Sequence, residues 1–152
     1  MKKILLGLLA LIALTIASCQ KTAIPDNIHN RIVGQYRFEK VTIYDGFVTF
    51  TNITDRYAHM ILQLNDKNEA AIIDSENGIT YTGEWHATQV NNTYTDDDGY
   101  TTNTTYFLNI YVSAGRGQVM HFDGQNATIN PHRLKFNVQR ADGRYKYKLK
   151  KL

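Results

Sequence analysis

Apolar and polar residues alternate along most of the chain beyond residue 30, and a period of two is typical of strands with one buried face. The alternation is clearest near the C-terminus, where Tyr145, Tyr147 and Leu149 share one side and Lys146 and Lys148 share the other. Helical periodicity is absent from the chain that follows the apolar N-terminal segment. The pattern therefore predicts an all-β protein.

Turn signals such as Asn-Gly and Asp-Gly separate the alternating runs and predict about eight strands. The predicted strands are residues 33–44, 58–65, 69–74, 79–94, 100–113, 117–122, 133–139 and 144–150. Tight turns favour antiparallel neighbours, and closing such a meander removes its exposed edges. We expect a single antiparallel up-and-down β-barrel over residues 31–152.

Two segments depart from regular alternation. Tyr36 and Phe38 are in phase with each other, but the apolar positions that follow are one residue out of step, which predicts a β-bulge near Glu39-Lys40. Segment 47–57 carries two phenylalanines. It is predicted either as an extra edge strand or as a loop that caps one end of the barrel.

The N-terminus has the features of a secretory signal, with two lysines followed by an apolar run that is too short to span a bilayer comfortably. Ile16-Ala17-Ser18-Cys19 resembles the lipobox of bacterial lipoproteins. That resemblance implies that residues 1–18 are removed and that Cys19, the only cysteine, is acylated. Residues 19–30 contain Pro25 and no periodicity, so we expect them to form a tether.

An acylated Cys19 would anchor the protein to a membrane of the cell envelope, since each buried methylene contributes about 0.8 kcal/mol. Gln20 stands where an inner-membrane retention signal would have aspartate, which favours the outer membrane. The residues after Gln20 contain no acidic run of the kind that accompanies surface export. We therefore expect an anchor that faces the periplasm.

Three motifs resemble the lipocalin-like domains of small Bacteroidetes-type lipoproteins. They are Gly34-Gln35-Tyr36, which resembles the family's G-x-W motif, Gly83-Glu84-Trp85, and the basic, aromatic run from Tyr145 to Leu149. The resemblance implies an up-and-down barrel that forms a cup for a small apolar or amphipathic ligand, without catalysis.

Eight aromatic residues are the candidates for lining such a cup. They are Tyr36, Phe38, Tyr81, Trp85, Tyr106, Phe136, Tyr145 and Tyr147. In a small eight-stranded barrel, side chains often fill the interior. Ligand lining and core packing are therefore both open from the sequence.

Charge is unevenly distributed. Residues 133–152 contain eight Lys and Arg but only one acidic residue, and Arg144, Lys146, Lys148 and Lys150 share one strand face. This basic face can bind an anionic envelope partner, such as lipid headgroups, lipopolysaccharide phosphates or an acidic protein. It can also be a solvated face that protects against edge pairing. Secretion makes nucleic acid an unfavoured partner.

Catalytic signatures are missing from the sequence. Neither Ser75 nor Ser113 lies in a G-x-S-x-G motif, there is no Gly-rich phosphate loop, and the five histidines lack zinc-site spacing. Asp96-Asp97-Asp98-Gly99 lacks the remaining ligands of a calcium loop, so a solvated hairpin tip is favoured. We expect no catalysis, no metal and no cofactor, and a hydrolase using Glu39 and Glu84 ranks last.

The leading functional hypothesis is thus a lipid-anchored, lipocalin-like barrel that binds a small apolar or amphipathic ligand. The alternative is an envelope interaction module, or an inhibitor of a lytic enzyme, that acts through the basic strand face.

Overall fold

The computed structural model describes residues 26–46, 49–96 and 99–152, and within them it contains one short α-helix and nine strands. The elements are α1 (Asp26–Ile32), β1 (Gly34–Asp45), β2 (Thr49–Asn52), β3 (Met60–Leu64), β4 (Glu69–Asp74), β5 (Ile79–Asp96), β6 (Gly99–Ala114), β7 (Gln118–Asn130), β8 (Arg133–Arg140) and β9 (Gly143–Lys151). Single 3-10 turns cover Thr54–Tyr57 and Gly115–Gly117.

Eight of the strands form a closed antiparallel up-and-down barrel, which confirms the predicted fold class. Each strand pairs with the next from β3 to β9, β1 pairs with β3, and β9 returns to pair with β1 between Tyr36↔Lys151 and Tyr44↔Arg144. This is the architecture that the lipocalin-like resemblance implies.

The β-bulge predicted in the first strand is confirmed. The β1–β9 register shifts between Phe38 and Lys40, so that one residue of β1 has no partner there. Tyr36 and Phe38 before the shift and Val41 after it are all buried. The bulge therefore keeps apolar side chains in the interior on both sides of the phase change.

Segment 47–57 contains both of the alternatives that the sequence left open. β2 pairs only with β1 and is an extra edge strand outside the eight of the barrel. Ile53 and the 3-10 turn after it fold back, with Ile53 buried and Thr54 Oγ1 accepting a hydrogen bond from Val41 N at 3.0 Å. Phe50 is exposed, and Phe47 lies outside the described residues.

Helix α1 contradicts two expectations, because residues 26–30 were predicted to be tether and no helix was expected. Ile28 and Ile32 lie one turn apart and both are buried against the barrel. Burial of this apolar pair, rather than intrinsic propensity, stabilises so short a helix. The described residues include no helix with the length and apolar character needed to cross a membrane.

Strand β7 runs to Asn130, eight residues beyond its predicted end at 122. Asp123-Gly124 and the polar residues after it resemble a turn, but the strand continues through register shifts against both neighbours. A Cβ at Gly124 would lie 2.5 Å from Leu108 O, so glycine permits a close approach of β6 there. Asn126 adopts a φ of 51°.

Candidate functional site

The eight aromatic residues predicted to line a cup lie in the barrel, where seven are buried and Tyr106 is half-buried. Tyr147 is the centre of a ring cluster. Phe136 stacks on it with centroids 5.1 Å apart, and Phe38 and Phe122 approach it edge-on at 6.3 and 5.2 Å. These rings contact one another and so form much of the hydrophobic core.

Trp85 and Tyr36 lie near helix α1, at one end of the barrel. Trp85 is fully buried, donates Nε1–H to Asn65 O at 3.0 Å, and stacks on His29. Tyr36 donates its hydroxyl hydrogen to Ile32 O at 2.6 Å. Helix α1 therefore closes this end by contacts with both rings.

Side chains fill the described barrel interior. Fully buried residues come from β1, β3, β4, β5, β6, β8 and β9, and they include Leu62, Ile72, Leu108, Ile110, Leu134 and Leu149. Three open depressions of about 660, 440 and 450 Å³ occur in the described residues, and none is lined by any of the eight aromatic residues. Ligand contact by these eight residues stays a prediction.

Burial of the tyrosine hydroxyls suppresses their ionisation. Desolvation raises the pKa of Tyr36 to about 12. The pKa of Tyr147 is raised well above its ordinary value, first by desolvation and then by Tyr57, whose hydroxyl lies 3.3 Å from that of Tyr147. Both hydroxyls therefore stay protonated and neutral across the physiological pH range.

A surface with dense positive charge covers the outer wall of β1, β9 and β8, and we call it the basic face. In one row of the sheet, Lys148 lies between Lys40 of β1 and Lys135 of β8. In the next, Lys150 lies between Arg37 and Arg133. Directly opposed side chains on one sheet face are about 5 Å apart at Cβ, so their fields sum.

The remaining members of the basic face extend it towards the other end of β9. Lys146 and Arg144 continue the outward series, and Arg144 lies over the Tyr44 ring at 5.3 Å from its centroid. The basic stripe predicted on the last strand is thus one column of a three-strand surface. The column on β1 was missed because only barrel closure brings it beside β9, whereas the column on β8 lies on the neighbouring strand of the β8–β9 hairpin.

One carboxylate lies within this surface. Glu39, at the bulge, places Oε2 2.9 Å from Lys148 Nζ and 3.8 Å from Arg133 Nε. The close contact with the Lys148 ammonium, assisted by the neighbouring charges of Arg133 and Lys150, lowers the pKa of Glu39. Glu39 therefore stays ionised and neutralises part of the face.

The charge of the chain changes sign around the barrel. Residues 53–130, which include β3 to β7, contain ten acidic and three basic residues. Residues 131–152 contain one acidic and eight basic residues. Basic residues are therefore concentrated at β8 and β9.

A depression of about 450 Å³ lies at one end of the basic face. It is lined by Asn130, Pro131, His132, Arg133 and Lys150. Backbone bonds hold this corner, since Lys151 N donates to His132 O at 2.9 Å and His132 N donates to Asn130 Oδ1 at 3.1 Å. The backbone that carries Arg133 and Lys150 is therefore held in place at this corner.

The outer wall of β5, β6 and β7 carries a different set of polar residues. A depression of about 440 Å³ is lined by Glu84, His86, Asn109, Tyr111, His121 and Asp123. His86 Nε2 lies 3.6 Å from Glu84 Oε2, and His121 meets the exposed Tyr111 ring edge-on. Within the described ranges, no three His, Cys, Asp or Glu side chains are placed to hold a metal ion.

Two of the predicted sites are not described by the structure. Cys19 and the signal peptide lie before residue 26, and Asp97 and Asp98 fall between β5 and β6. The backbone on either side of that gap is paired as Asp96↔Gly99, so the long hairpin predicted here is confirmed.

Of the two carboxylates considered for hydrolysis, Glu39 lies on β1 at the basic face and Glu84 lies on β5, on the outer wall of β5 to β7.

Comparison with known proteins gave no matching family model, no matching curated protein and no matching solved structure.

Proposed function

We propose that this protein is a lipid-anchored, non-catalytic interaction module of the cell envelope that binds an acidic protein surface on its basic face. The single observation that carries the proposal is the alignment of basic residues on three adjacent strands, with Lys40, Lys148 and Lys135 in one row. This is the interaction-module hypothesis of the sequence analysis, now supported by a larger surface.

The shape of the basic face favours an extended partner. Its side chains project from the convex wall of a barrel, so they diverge and do not converge on one small anion. A flat membrane would touch such a wall only along a line. A protein surface with several carboxylates can follow the curvature and meet the rows together, and electrostatic complementarity would then accelerate association.

The interior cup is the second candidate, and the lipocalin-like architecture supports it. The packed rings around Tyr147 count against it, because a ligand would have to displace several ring contacts. Native mass spectrometry of the protein released from the envelope distinguishes the two candidates. A retained apolar molecule would favour the cup.

The proposed anchor is acylated Cys19, which would hold the module at the outer membrane, facing the periplasm. Its support is the lipobox-like run Ile16-Ala17-Ser18-Cys19. Incorporation of a labelled fatty acid in cells tests it directly. We expect the label in the wild-type chain and none in Cys19→Ala.

Binding to polyglutamate, used as a model acidic polypeptide, tests the basic face. We expect the double variant Lys146→Glu, Lys150→Glu to bind at least about tenfold more weakly at low salt, because it replaces attraction by repulsion on the two rows that flank Lys148. Lys67→Glu, in the β3–β4 turn, is the matched control and should bind like the wild type.

Binding to lipid vesicles distinguishes an acidic protein from a lipid surface as the partner of the basic face. A chain that begins at residue 20, which has neither the apolar segment nor the acylation site but keeps the basic face, should bind polyglutamate but should not sediment with vesicles containing phosphatidylglycerol. Sedimentation that depends on Lys146 and Lys150 would contradict the proposal and assign the face to lipid headgroups. Unchanged polyglutamate binding by the charge-reversed variant would refute a role for the face.

A further inference from the structure

The β5–β6 hairpin extends beyond the barrel wall. The β4–β5 pairing ends at Glu69↔Glu84, and the β6–β7 pairing ends at Tyr106↔Ala127. Beyond those points, residues 90–96 and 99–105 pair only with each other among the described strands. We call these residues the projecting hairpin. At about 3.3 Å per residue, each of its arms is about 20 Å long.

Side-chain hydrogen bonds order the projecting hairpin. Asn91 Oδ1 accepts from Thr104 Oγ1 across the ladder and from Gln89 Nε2 on its own strand, both at 2.9 Å. Thr93 and Thr102, which are direct cross-strand partners, bring their hydroxyls to 3.4 Å. The hairpin is thus a regular two-stranded ribbon with a defined register.

The direction of the backbone groups along β5 follows from one hydrogen bond. Trp85 N donates to Asn68 O at 2.9 Å, away from β6. In an antiparallel strand, the N–H and C=O of one residue point to the same side, and successive residues alternate. The β5–β6 register has no shift from Thr82 to Asp96. The outward residues are therefore Ala87, Gln89, Asn91, Thr93 and Thr95, and we call this series the β5 edge.

Within residues 26–46, 49–96 and 99–152, the β5 edge lacks the features by which proteins block edge-to-edge pairing. Residues 87–95 contain no charged residue and no proline, and neither do residues 99–112 of the facing strand. Natural edges are usually guarded by lysine, proline, a bulge or a covering element. On the same barrel, β9 has four outward basic side chains. The acidic residues of the hairpin, Asp96 to Asp98, are at its tip in the sequence, so the lack of charge is confined to its arms.

We propose that the β5 edge pairs in antiparallel orientation with the β5 edge of a second copy of this chain. Such a pairing is self-complementary about a twofold axis, which centres on Asn91 in the outward series. The uncharged residues 87–95 meet the same residues of the second copy without repulsion. Asn92 already pairs with Asn103 across the ladder, which is the same residue pairing that the axis gives at Asn91.

A second copy is a better occupant of the β5 edge than of the β6 edge. The free part of β6 ends at Thr105, because β7 begins to cover the strand at Tyr106. The β5 edge is free from Ala87 onwards. The longer run offers more unpaired N–H and C=O groups, and each unmade backbone hydrogen bond in a closed interface would cost free energy.

Two proline variants test the proposal, at two residues that lie opposite each other in the ladder. Thr93→Pro removes an outward N–H from the β5 edge, and Thr102→Pro removes an outward N–H from the opposite edge. Both variants lose the same Thr93–Thr102 hydroxyl contact and keep the inward ladder bonds. The full chain, purified in detergent, is measured by light scattering across protein concentrations from about 1 to about 500 μM, a range suited to a small interface.

We expect the wild-type chain and Thr102→Pro to change from monomer to dimer with the same midpoint, and we expect Thr93→Pro to need at least about tenfold more protein. Amide exchange provides a second readout. On dimerisation, Gln89, Asn91 and Thr93 should gain protection, whereas Val90 and Asn92, which already donate to β6, should not.

Four outcomes would overturn the pairing. Two concern the dimer: a wild-type chain that stays monomeric at every concentration, or dimerisation that is weakened equally by the two proline variants. The other two are growth into open-ended fibres, and an Asn91 amide that another segment of the chain already protects from exchange in the monomer. Circular dichroism of both variants establishes that the barrel is intact before the masses are compared.

Discussion

The imidazole of His29 stacks on the indole of Trp85, with ring centroids 5.0 Å apart and ring planes inclined by 26°. His29 Nε2 also lies 3.1 Å from Asp66 O, in the turn between β3 and β4. Asn65 O, in the same turn, accepts a hydrogen bond from Trp85 Nε1. One indole ring of the barrel wall therefore contacts both the helix and this turn. This contact fixes helix α1 on the barrel.

Replacing His29 by alanine should loosen that attachment. We expect His29→Ala to lower the free energy of unfolding by about 1 kcal/mol, the usual value of a stacked aromatic pair. Trp85 is the only tryptophan, so the emission comes from this site alone and should shift to longer wavelength when His29 no longer covers the ring. His132→Ala, at the depression beside β8, is a control that should leave the emission unchanged.

Alkaline titration should destabilise the fold through Tyr36. Its pKa is raised from 10.0 to about 12 in the folded state, so the folded protein retains a proton that the unfolded chain releases. Its contribution is complete below pH 10 and is lost as the pH rises towards 12. Urea unfolding at rising pH measures this loss.

The variant Tyr36→Phe keeps the ring but loses the hydroxyl bond to Ile32 O. We expect it to cost about 1 kcal/mol at neutral pH and to reduce the loss of stability above pH 10. A variant with the full alkaline dependence of the wild type would show that another group is responsible.

Acid should weaken the β4–β5 turn through Asp74. Its carboxylate accepts hydrogen bonds from Asn77 Nδ2 at 2.8 Å and from the backbone N–H groups of Glu76 and Asn77 at 3.1 Å. The side-chain bond from Asn77 is the main cause of its lowered pKa. The stabilisation is therefore complete above the ordinary value of 3.8 and is lost as the pH falls through the lower folded value.

We expect Asp74→Asn to be less stable than the wild type by about 1–2 kcal/mol at pH 7, and we expect the difference to shrink in acid. Asp55→Asn, at an exposed carboxylate, should have little effect at either pH. A difference that stays constant on acidification would mean that the charge of Asp74 is not what stabilises the turn.

Neutralising Glu39 should strengthen the basic face. Glu39→Gln removes the carboxylate beside Lys148 and Arg133 but keeps its size, so polyglutamate should bind about two- to fivefold more tightly at low salt. Glu76→Gln, an exposed carboxylate in the β4–β5 turn, should leave binding unchanged. Titration calorimetry at two salt concentrations measures the affinity of each variant for polyglutamate. Weaker binding by Glu39→Gln would contradict a direct electrostatic role of the face.

The parts of the fold that follow from local pattern could be predicted. Alternation identified the strands, and the phase change after Phe38 identified the bulge, because each depends on neighbouring residues alone. Helix α1 was missed because seven residues are too few to show helical periodicity. The only available signal was the spacing of Ile28 and Ile32, which is one helical turn.

The basic face shows where sequence reasoning reaches its limit. Lys146, Lys148 and Lys150 could be identified as one surface because they alternate within a single strand. Lys40 is over a hundred residues away from Lys148, and their pairing depends on barrel closure and on the bulge that sets the register. Side-chain packing of the interior also depends on how all the strands meet, so the sequence left core and cup undecided.

The pairing of β1 with β9 also governs how the chain can fold. Val41 of the first strand lies opposite Tyr147 of the last, and both are fully buried, so neither can find its native partner until β9 has been synthesised. Contacts between such distant segments slow folding, since the intervening chain must be ordered first. A chain without β9 therefore has two open strand edges and an incomplete core.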